Sequence, residues 1–256
     1  VEDPAPSDAT FVAYDEDRFR ERQRHAPAVK VGWLCHMIDA DDLISLEPSF
    51  AGVPLQERED YLAHFVSRIP PVAISAVDVR STAGGSVRVY PILLPFTSSW
   101  VQRRLEERRL ALPQALVQQG VDLARSLDCQ TVALGQYTSI VTLNGTRVAR
   151  RGIGVTTGNS YAVALAIQAI ERAHLETGRS PAQSVLLIAG AMGNIGRACA
   201  EILAPRYRQT LLIGSNKPGS LARLESFAGK IPNAVVSTDL ASVREGDVVL
   251  AALNAV

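Results

Sequence analysis

The sequence predicts a two-domain α/β protein, and three observations support this fold class. Hydrophobic residues make up 47% of the 256 residues, enough to fill the core of one large domain or of two smaller ones. From residue 158 onward, strand-like and helix-like segments alternate, which is typical of a parallel sheet with helical crossovers. Before that residue the pattern of helical segments and β-branched runs is different. We therefore expect an arm or linker at 1–28, an N-terminal α/β domain at 29–157 and a second α/β domain at 158–256.

The composition argues against several classes of protein. Lys and Arg total 26, as do Asp and Glu, so no overall basic field favours nucleic acid. No apolar run reaches the roughly 18 residues that a membrane span needs, and residues 1–28 lack the apolar core of a signal peptide. The three cysteines, Cys35, Cys129 and Cys199, are far apart and form no CxxC pair. We therefore expect neither a disulfide scaffold nor a metal site, and a cytoplasmic location.

The elements of the N-terminal domain follow from apolar spacing and from the residues that interrupt it. We predict a strand at 28–37, a helix at 55–69, a hairpin of 71–81 with 85–94, a helix at 98–128 and a strand at 131–140. Ser98 or Ser99 should cap the long helix, and Pro113 should interrupt it. The last strand should turn at Gly135, which places Tyr137 at a strand end.

The second domain has a clearer pattern. A strongly amphipathic helix is predicted at 158–178, with Asn159 or Ser160 as its N-cap and Gly178 as its end. The segments after it predict a strand, a glycine turn and a helix at 183–205, a strand at 209–214, a helix at 219–229, a strand at 234–237, a short helix and a strand at 247–253.

Three glycines lie between a predicted strand and a predicted helix in the stretch VLLIAGAMGNIGRACAEIL, residues 185–203. In a dinucleotide-binding turn the first glycine allows a sharp turn, the second lets a pyrophosphate approach the backbone, and the third lets the helix pack closely. The positive end of the helix then faces the phosphates. We therefore predict a Rossmann-like domain; an empty βα turn is the alternative. The predicted cofactor contacts are Gly190, Met192, Gly193, Asn194, Ile195, Gly196, Ala252 and Leu253.

The next predicted strand indicates which cofactor binds. Sites for NAD usually have an acidic residue about 20 residues after the glycines, bonded to the ribose 2′-hydroxyl. This sequence instead has Ser215, Asn216 and Lys217 at that place. Hydroxyl, amide and ammonium groups can bind a 2′-phosphate, so we predict NADPH. An ordinary solvated loop lysine is the alternative interpretation of Lys217.

Three blocks occur in order along the second half of the sequence: ALGQYTSI (133–140), TTGNSYAVALAIQAIERA (156–173) and the glycine turn. Together they resemble the long-chain acyl-(acyl-carrier-protein) reductases, which form aldehydes. In that family a glycine-Phe-Ser/Thr-Ser-Ile stretch, a TTGN motif opening a helix and a GATGDIG turn occur in this order. GWLCHMIDADDL (32–43) resembles the family's glycine-x-x-x-His-Leu opening, and LLPFTSSWVQRRLEERR (93–109) resembles its LPEM segment and basic helix. Phe96 stands in place of the glutamate of LPEM.

The resemblance implies an NADPH-dependent reduction of a fatty acyl thioester, carried by acyl carrier protein or coenzyme A, to an aldehyde. It makes the N-terminal α/β domain the substrate domain. In the family the acyl group passes onto a cysteine, which belongs to a segment C-terminal to residue 256. The Rossmann-like parallel sheet is expected to be incomplete within this chain, because its last strands would follow the same residue. The oligomeric state is not predicted.

The resemblance also suggests catalytic residues. Thr157 and Asn159 of the TTGN motif would lie near the nicotinamide or the acyl carbonyl, at a cleft between the domains, where polar groups could stabilise an oxyanion. The alternative for this motif is a simple helix cap. His36 matches the family's histidine, with a satisfied core histidine as the alternative. Tyr137 could donate a proton, but the lysine expected four residues on is replaced by Val141. A tyrosine hydroxyl bonded to backbone is therefore favoured.

Two further interpretations stay open at this point. One is a shikimate-dehydrogenase-like NADP-dependent oxidoreductase of a small polar substrate. The other is a non-catalytic nucleotide-binding or carrier-docking module. Two basic clusters could steer an acidic acyl carrier protein, although a solvated helix face explains the first cluster equally well. The clusters are Arg103, Arg104, Arg108 and Arg109, and Arg147, Arg150 and Arg151.

Overall fold

The computed structural model describes residues 29–80 and 85–253, so the predicted arm at 1–28 lies outside the described residues. The chain divides into two compact units, Val1–Thr157 and Gly158–Val256, called here the N-terminal and C-terminal units. This division falls where the sequence pattern changes. The protein is mixed α/β with predominantly parallel sheets, as the sequence predicts.

The N-terminal unit is built on one mostly parallel sheet. Its strands are β1 (Val29–Met37), β2 (Val72–Ala73), β3 (Val77–Arg80), β4 (Ser86–Thr97), β5 (Thr131–Leu134) and β6 (Gly154–Thr156). The strand order is β2-β4-β1-β5-β6, with β3 also paired to β4. Strands β1, β4, β5 and β6 are parallel, whereas β2 and β3 pair antiparallel with β4. The pairing of β3 with β4 confirms the predicted hairpin.

The helices of this unit correct one prediction. They are α1 (Asp42–Leu46), α2 (Leu55–Phe65), α3 (Ser98–Glu106), α4 (Ala111–Ser126) and α5 (Tyr137–Val141), with a 3₁₀ turn at Pro48–Gly52. The helix predicted at 98–128 is therefore two helices. Pro113 does not interrupt a helix. It lies in the first turn of α4, where a backbone N–H has no acceptor within the helix, so the N–H that proline lacks breaks no helical hydrogen bond. The N-cap of α3 is Thr97, rather than Ser98 or Ser99, and its hydroxyl accepts from the Trp100 N–H at 3.3 Å.

The strand predicted at 131–140 is also shorter than expected. Strand β5 ends at Leu134, and Tyr137 is the first residue of helix α5 instead of a strand end. Local hydrogen bonds explain the change. The N–H and hydroxyl of Thr138 both donate to the Gly135 carbonyl, at 3.1 and 2.5 Å. The Thr142 hydroxyl donates to the Thr138 carbonyl at 2.7 Å. These bonds favour a helical turn over continued strand.

The C-terminal unit matches its predicted elements closely. A parallel sheet of β7 (Val185–Ala189), β8 (Gln209–Ile213), β9 (Ala234–Ser237) and β10 (Val248–Ala251) is accompanied by α6 (Asn159–Thr177), α7 (Asn194–Leu203) and α8 (Ser220–Ala228). The short helix predicted before β10 is the 3₁₀ segment Leu240–Glu245. One detail differs: Gly158 is the N-cap of α6, and Asn159 is its first residue. Gly178 ends the helix as predicted.

Strand order places a crevice in each unit. In the C-terminal unit the order is β10-β7-β8-β9. Strands β8 and β9 follow one another on one side of β7, and the last strand, β10, pairs with the opposite side of β7. In the N-terminal unit, β4 lies on one side of β1, and β5 and β6 lie on the other. Ligands of open α/β sheets bind where the order reverses, outside the carboxyl ends of the strands. Within the described residues, no helix has the length and apolar character of a membrane span.

Candidate functional site

The turn between β7 and α7 depends on Gly190. Its φ of +81° is a conformation that side chains with a Cβ rarely adopt. A Cβ at this position would lie 2.4 Å from the Ala252 carbonyl oxygen and 3.2 Å from Leu253 Cδ2. Ala252 is held against β7, because its N–H donates to the Ala189 carbonyl at 2.9 Å. Gly190 therefore allows the turn to pass directly beside the end of β10, at the crevice.

The other two glycines have different surroundings. A Cβ on Gly196 would lie 2.4 Å from the Gly190 carbonyl oxygen, so this glycine lets α7 pack tightly against the turn. Gly193 is exposed and extended, and it is the N-cap of α7. A Cβ on Gly193 would lie 3.3 Å from the Gly190 carbonyl oxygen and 3.8 Å from the Ala252 carbonyl oxygen. The middle glycine is thus the least crowded of the three, and it is exposed.

Helix α7 begins at this turn without a side-chain cap. The first turn of such a helix carries the positive end of its dipole. Met192 and Asn194 are exposed and Ile195 is half-buried, so the surface around the turn is accessible. This arrangement can bind the negative charge of a phosphate.

The loop after β8 supplies neutral and positive groups. Ser215, Asn216 and Lys217 are all exposed. The Ser215 Oγ accepts from the Lys217 N–H at 3.1 Å, which leaves the hydroxyl proton of Ser215 able to donate outward. No carboxylate occurs in the segment 214–219. The loop therefore has the hydrogen-bond donors that a phosphate monoester requires.

Asn159 lies next to the glycine turn. Asn159 and Asn194, the first residues of α6 and α7, line the same groove between these two helices. The structure thus brings one residue of the TTGN motif together with the proposed pyrophosphate turn, inside a single unit. Thr157 precedes the helix and is half-buried at the end of the N-terminal unit.

His36 and Tyr137 lie together in the N-terminal unit, with ring centroids 5.7 Å apart. His36 is buried, and both of its ring nitrogens have backbone partners. Nδ1 is 2.8 Å from the Met37 carbonyl, and Nε2 is 3.3 Å from the Tyr137 N–H. Because Nε2 accepts, the tautomer with a proton on Nδ1 satisfies both bonds. Burial lowers the pKa of His36, so the ring is neutral at pH 7. Its two bonds join the end of β1 to the start of α5. This geometry favours the core-histidine interpretation.

Tyr137 differs from expectation in its hydrogen bonding. Its side chain is half-buried, and among residues 29–80 and 85–253 its hydroxyl has no hydrogen-bond partner. The hydroxyl bonded to backbone that the sequence favoured is therefore wrong. A catalytic role for Tyr137 stays a prediction.

None of the three cysteines has the properties of a nucleophile. All three are buried. Burial raises the pKa of Cys35 and of Cys129 to about 11 each, and it also raises the pKa of Cys199. Since the thiolate is the reactive form, these protonated thiols are inert at neutral pH. This agrees with the interpretation of all three as packing residues.

Gln136 was not identified from the sequence. It has φ +51° and ψ −132°, a combination rare for any residue except glycine. Its side-chain oxygen accepts from the His36 N–H at 2.8 Å. One signal was available: in the family that the stretch 133–140 resembles, glycine occupies the place of Gln136. The strained residue lies at the crevice between β1 and β5.

No group of three or more His, Cys, Asp or Glu side chains in the described part of the chain could hold a metal ion. No protein-family model matches the sequence, and no curated protein matches it. The resemblance to acyl reductases therefore depends on the motif residues alone.

Proposed function

We propose that the C-terminal unit is a Rossmann-like domain that binds NADPH, and that the protein reduces a fatty acyl thioester to an aldehyde. The main support is one combination: glycines at 190, 193 and 196 in a βα turn, at the point where the order β10-β7-β8-β9 reverses. This strand order is that of the first four strands of a dinucleotide-binding fold. The crowding around Gly190 and Gly196, with the less crowded and exposed Gly193, fits the role of each glycine in such a site.

The residues present fit the cofactor. The turn at Gly190–Gly196 would hold the pyrophosphate, and the positive end of α7 would balance its charge. Ser215, Asn216 and Lys217 would bind the 2′-phosphate, while Ala252 and Leu253 would border the cofactor at the end of β10. Bound NADPH supplies a hydride to an electrophilic carbon. Asn159 and Thr157 would orient the carbonyl oxygen that gains negative charge.

The choice of acyl thioester as substrate rests on the resemblance in residues 133–205. In such a reduction the C–H bond forms, the C–S bond breaks, and the thiol departs with a proton. Acyl carrier protein or coenzyme A would carry the acyl group. The basic clusters support carrier docking only weakly, because Arg104 pairs with Glu107 at 3.0 Å and Arg151 pairs with Asp122 at 3.1 Å.

The first experiment is a fluorescence titration of the protein with NADPH and with NADH. We expect tighter binding of NADPH, and the Lys217→Ala variant should lose about tenfold in NADPH affinity while NADH affinity stays unchanged. Lys230→Ala, at another exposed lysine of the same unit, is the matched control. Absence of binding for both dinucleotides would refute the proposal.

The second experiment addresses the substrate. NADPH oxidation is followed with hexadecanoyl thioesters of acyl carrier protein and of coenzyme A, and with a panel of small keto acids. Turnover of the keto acids alone would replace the acyl reductase with the shikimate-dehydrogenase-like alternative.

One observation favours a different class of function. All three cysteines of this sequence are buried, and burial raises the pKa of each thiol, so none of them has the properties of an acyl-carrying nucleophile. A nucleotide-binding, carrier-docking module without chemistry agrees with this. NADPH binding without turnover of any thioester or keto acid would support that module over the reductase.

A further inference from the structure

A groove in the C-terminal unit runs between helices α6 and α7. Its lining comes only from these two helices: Asn159, Ser160, Val163, Ala164, Ile167, Asn194, Ala198 and Ile202. On both helices the lining residues recur at intervals of four, from the first residue to the ninth. The groove therefore follows two turns of each helix, roughly 12 Å.

The groove is polar at one end and aliphatic along the rest. Asn159, Ser160 and Asn194 lie where the helices begin, beside the glycine turn. The remaining lining residues are Val, Ala and Ile, and none of the eight is charged. The two alanines, Ala164 and Ala198, have the smallest side chains in the lining and leave space along its length.

We propose that this groove holds the alkyl chain of the acyl thioester, with the carbonyl end at Asn159, Ser160 and Asn194. The inference rests on the proposed function and adds the location of the acyl chain to it. The ligand chemistry follows from the lining: an uncharged chain of methylenes matches the aliphatic walls, and a carbonyl matches the amide and hydroxyl groups. The polar end lies at the first residue of α7, so the thioester would be next to the cofactor turn.

The polarity of the groove favours this occupant over another protein. A docked helix or a second copy of the chain would place its own apolar side chains along the whole groove, without need for a polar end at the nucleotide turn. A linear acyl chain has one polar end and uses both parts of the groove. Each added methylene that becomes buried should raise affinity by up to about fourfold, until the groove is full.

The test fills the groove and compares two positions on one helix. Ala164→Leu introduces a larger side chain into the groove, whereas Ala173→Leu places the same side chain on α6 outside it. Both alanines are exposed, so the two variants change helix propensity and surface alike. Calorimetry measures binding of non-reducible thioether analogues of hexadecanoyl- and octanoyl-coenzyme A, and fluorescence measures NADPH binding.

We expect Ala164→Leu to weaken hexadecanoyl and octanoyl binding alike, by about tenfold or more, with NADPH affinity unchanged, because Ala164 lies only about 8 Å along the helix from Asn159 and both chains reach it. Ala173→Leu should match the wild type. Equal acyl affinity in the wild type and in Ala164→Leu would overturn the inference that the acyl chain binds in the groove. Sedimentation of both proteins is measured as well. A change in sedimentation without a change in acyl affinity would also overturn the inference, because it would show that the groove is a contact between copies of the chain.

If the wild type binds NADPH but no acyl analogue, the groove inference and the acyl substrate both fail, while the nucleotide site stands. If it binds acyl analogues in the groove but no dinucleotide, only the reductase fails.

Discussion

Two strand-to-helix turns in this protein lie at the points where the strand order of their sheets reverses, but they are built differently. The turn from β7 to α7 uses Gly190, with φ +81°, and the turn from β5 to α5 uses Gln136, with φ +51°. Each lies at the carboxyl end of a parallel strand, where the strand order reverses. In the first, the absent side chains let backbone segments approach closely. In the second, a side chain is present, and its amide bonds the neighbouring strand at His36.

The comparison shows two ways to form a crevice. A glycine turn leaves open backbone and helix-end charge, which suits a phosphate ligand. A turn held by Gln136 and His36 is closed by hydrogen bonds that tie β1 to the segment after β5. The first turn is therefore the better candidate for a cofactor, and the second for a rigid support whose strain depends on the surrounding packing.

The largest expected effect comes from Gly196→Ala. The new methyl group would lie 2.4 Å from the Gly190 carbonyl oxygen, so α7 or the turn must move. We expect a loss of about 1–3 kcal/mol in the free energy of unfolding, measured in urea, together with loss of NADPH binding. A variant that is as stable as the wild type would contradict the tight packing described for this turn.

The Gly193→Ala variant should lower the affinity for NADPH more than it lowers the stability of the fold. Its methyl group would lie 3.3 Å from the Gly190 carbonyl oxygen, a tight contact but a much looser one than the 2.4 Å at Gly196, so the loss in the free energy of unfolding should be smaller, about 1 kcal/mol or less. The same methyl group would occupy the space above the turn that a pyrophosphate needs. NADPH affinity should therefore fall by about tenfold or more in a fluorescence titration. Unchanged affinity would place the phosphates elsewhere.

The contrast also explains what the sequence could predict. Each predicted strand and helix of the C-terminal unit is present, although some bounds differ and the short helix is a 3₁₀ segment. The agreement arises because alternating apolar segments and glycines are strong local signals. The turn at Gln136 was missed, because glutamine does not indicate a positive φ. The end of β5 at Leu134 was missed for a related reason: hydroxyl-to-carbonyl bonds of Thr138 and Thr142 turn the chain, and apolar spacing does not show them.

The site was predicted unevenly for the same physical reasons. Glycine positions and the absence of a carboxylate near Lys217 can be taken directly from the sequence. Partners of a buried side chain cannot, since they come from strands far apart in the chain. His36 and Tyr137 are 101 residues apart and meet only because β1 pairs with β5. The groove at Asn159 and Asn194 likewise requires the packing of α6 on α7.

Lowering the pH should test how much buried His36 contributes to the stability of the fold. Burial lowers its pKa in the folded state, opposed by its bond to the Met37 carbonyl and by the Asp42 carboxylate. The unfolded chain, with an ordinary histidine pKa near 6.5, then binds more protons than the folded one below that pH. Stability that is present above about pH 6.5 is therefore lost as the pH falls, at up to about 1.4 kcal/mol per pH unit until the lowered pKa is reached.

Urea unfolding at pH 7.5 and pH 5.5 measures this loss. The His36→Gln variant should show a smaller difference between the two pH values than the wild type. His64→Gln is the control, because His64 is exposed. An equal pH dependence in the wild type and in His36→Gln would show that the buried ring does not carry the effect.

The smallest effect is expected at Gln136, where glycine should be better tolerated than alanine. Alanine keeps the strained φ of +51° and loses the bond from the His36 N–H, whereas glycine loses the bond but relieves the strain. We expect Gln136→Gly to be more stable than Gln136→Ala by about 1 kcal/mol in thermal or urea unfolding. In ordinary helix or strand positions the order is the reverse, because glycine loses more entropy on folding. If alanine proved equal or better, Gln136 would not be strained in solution, and the contrast between the two turns would lie in the bond to His36 alone.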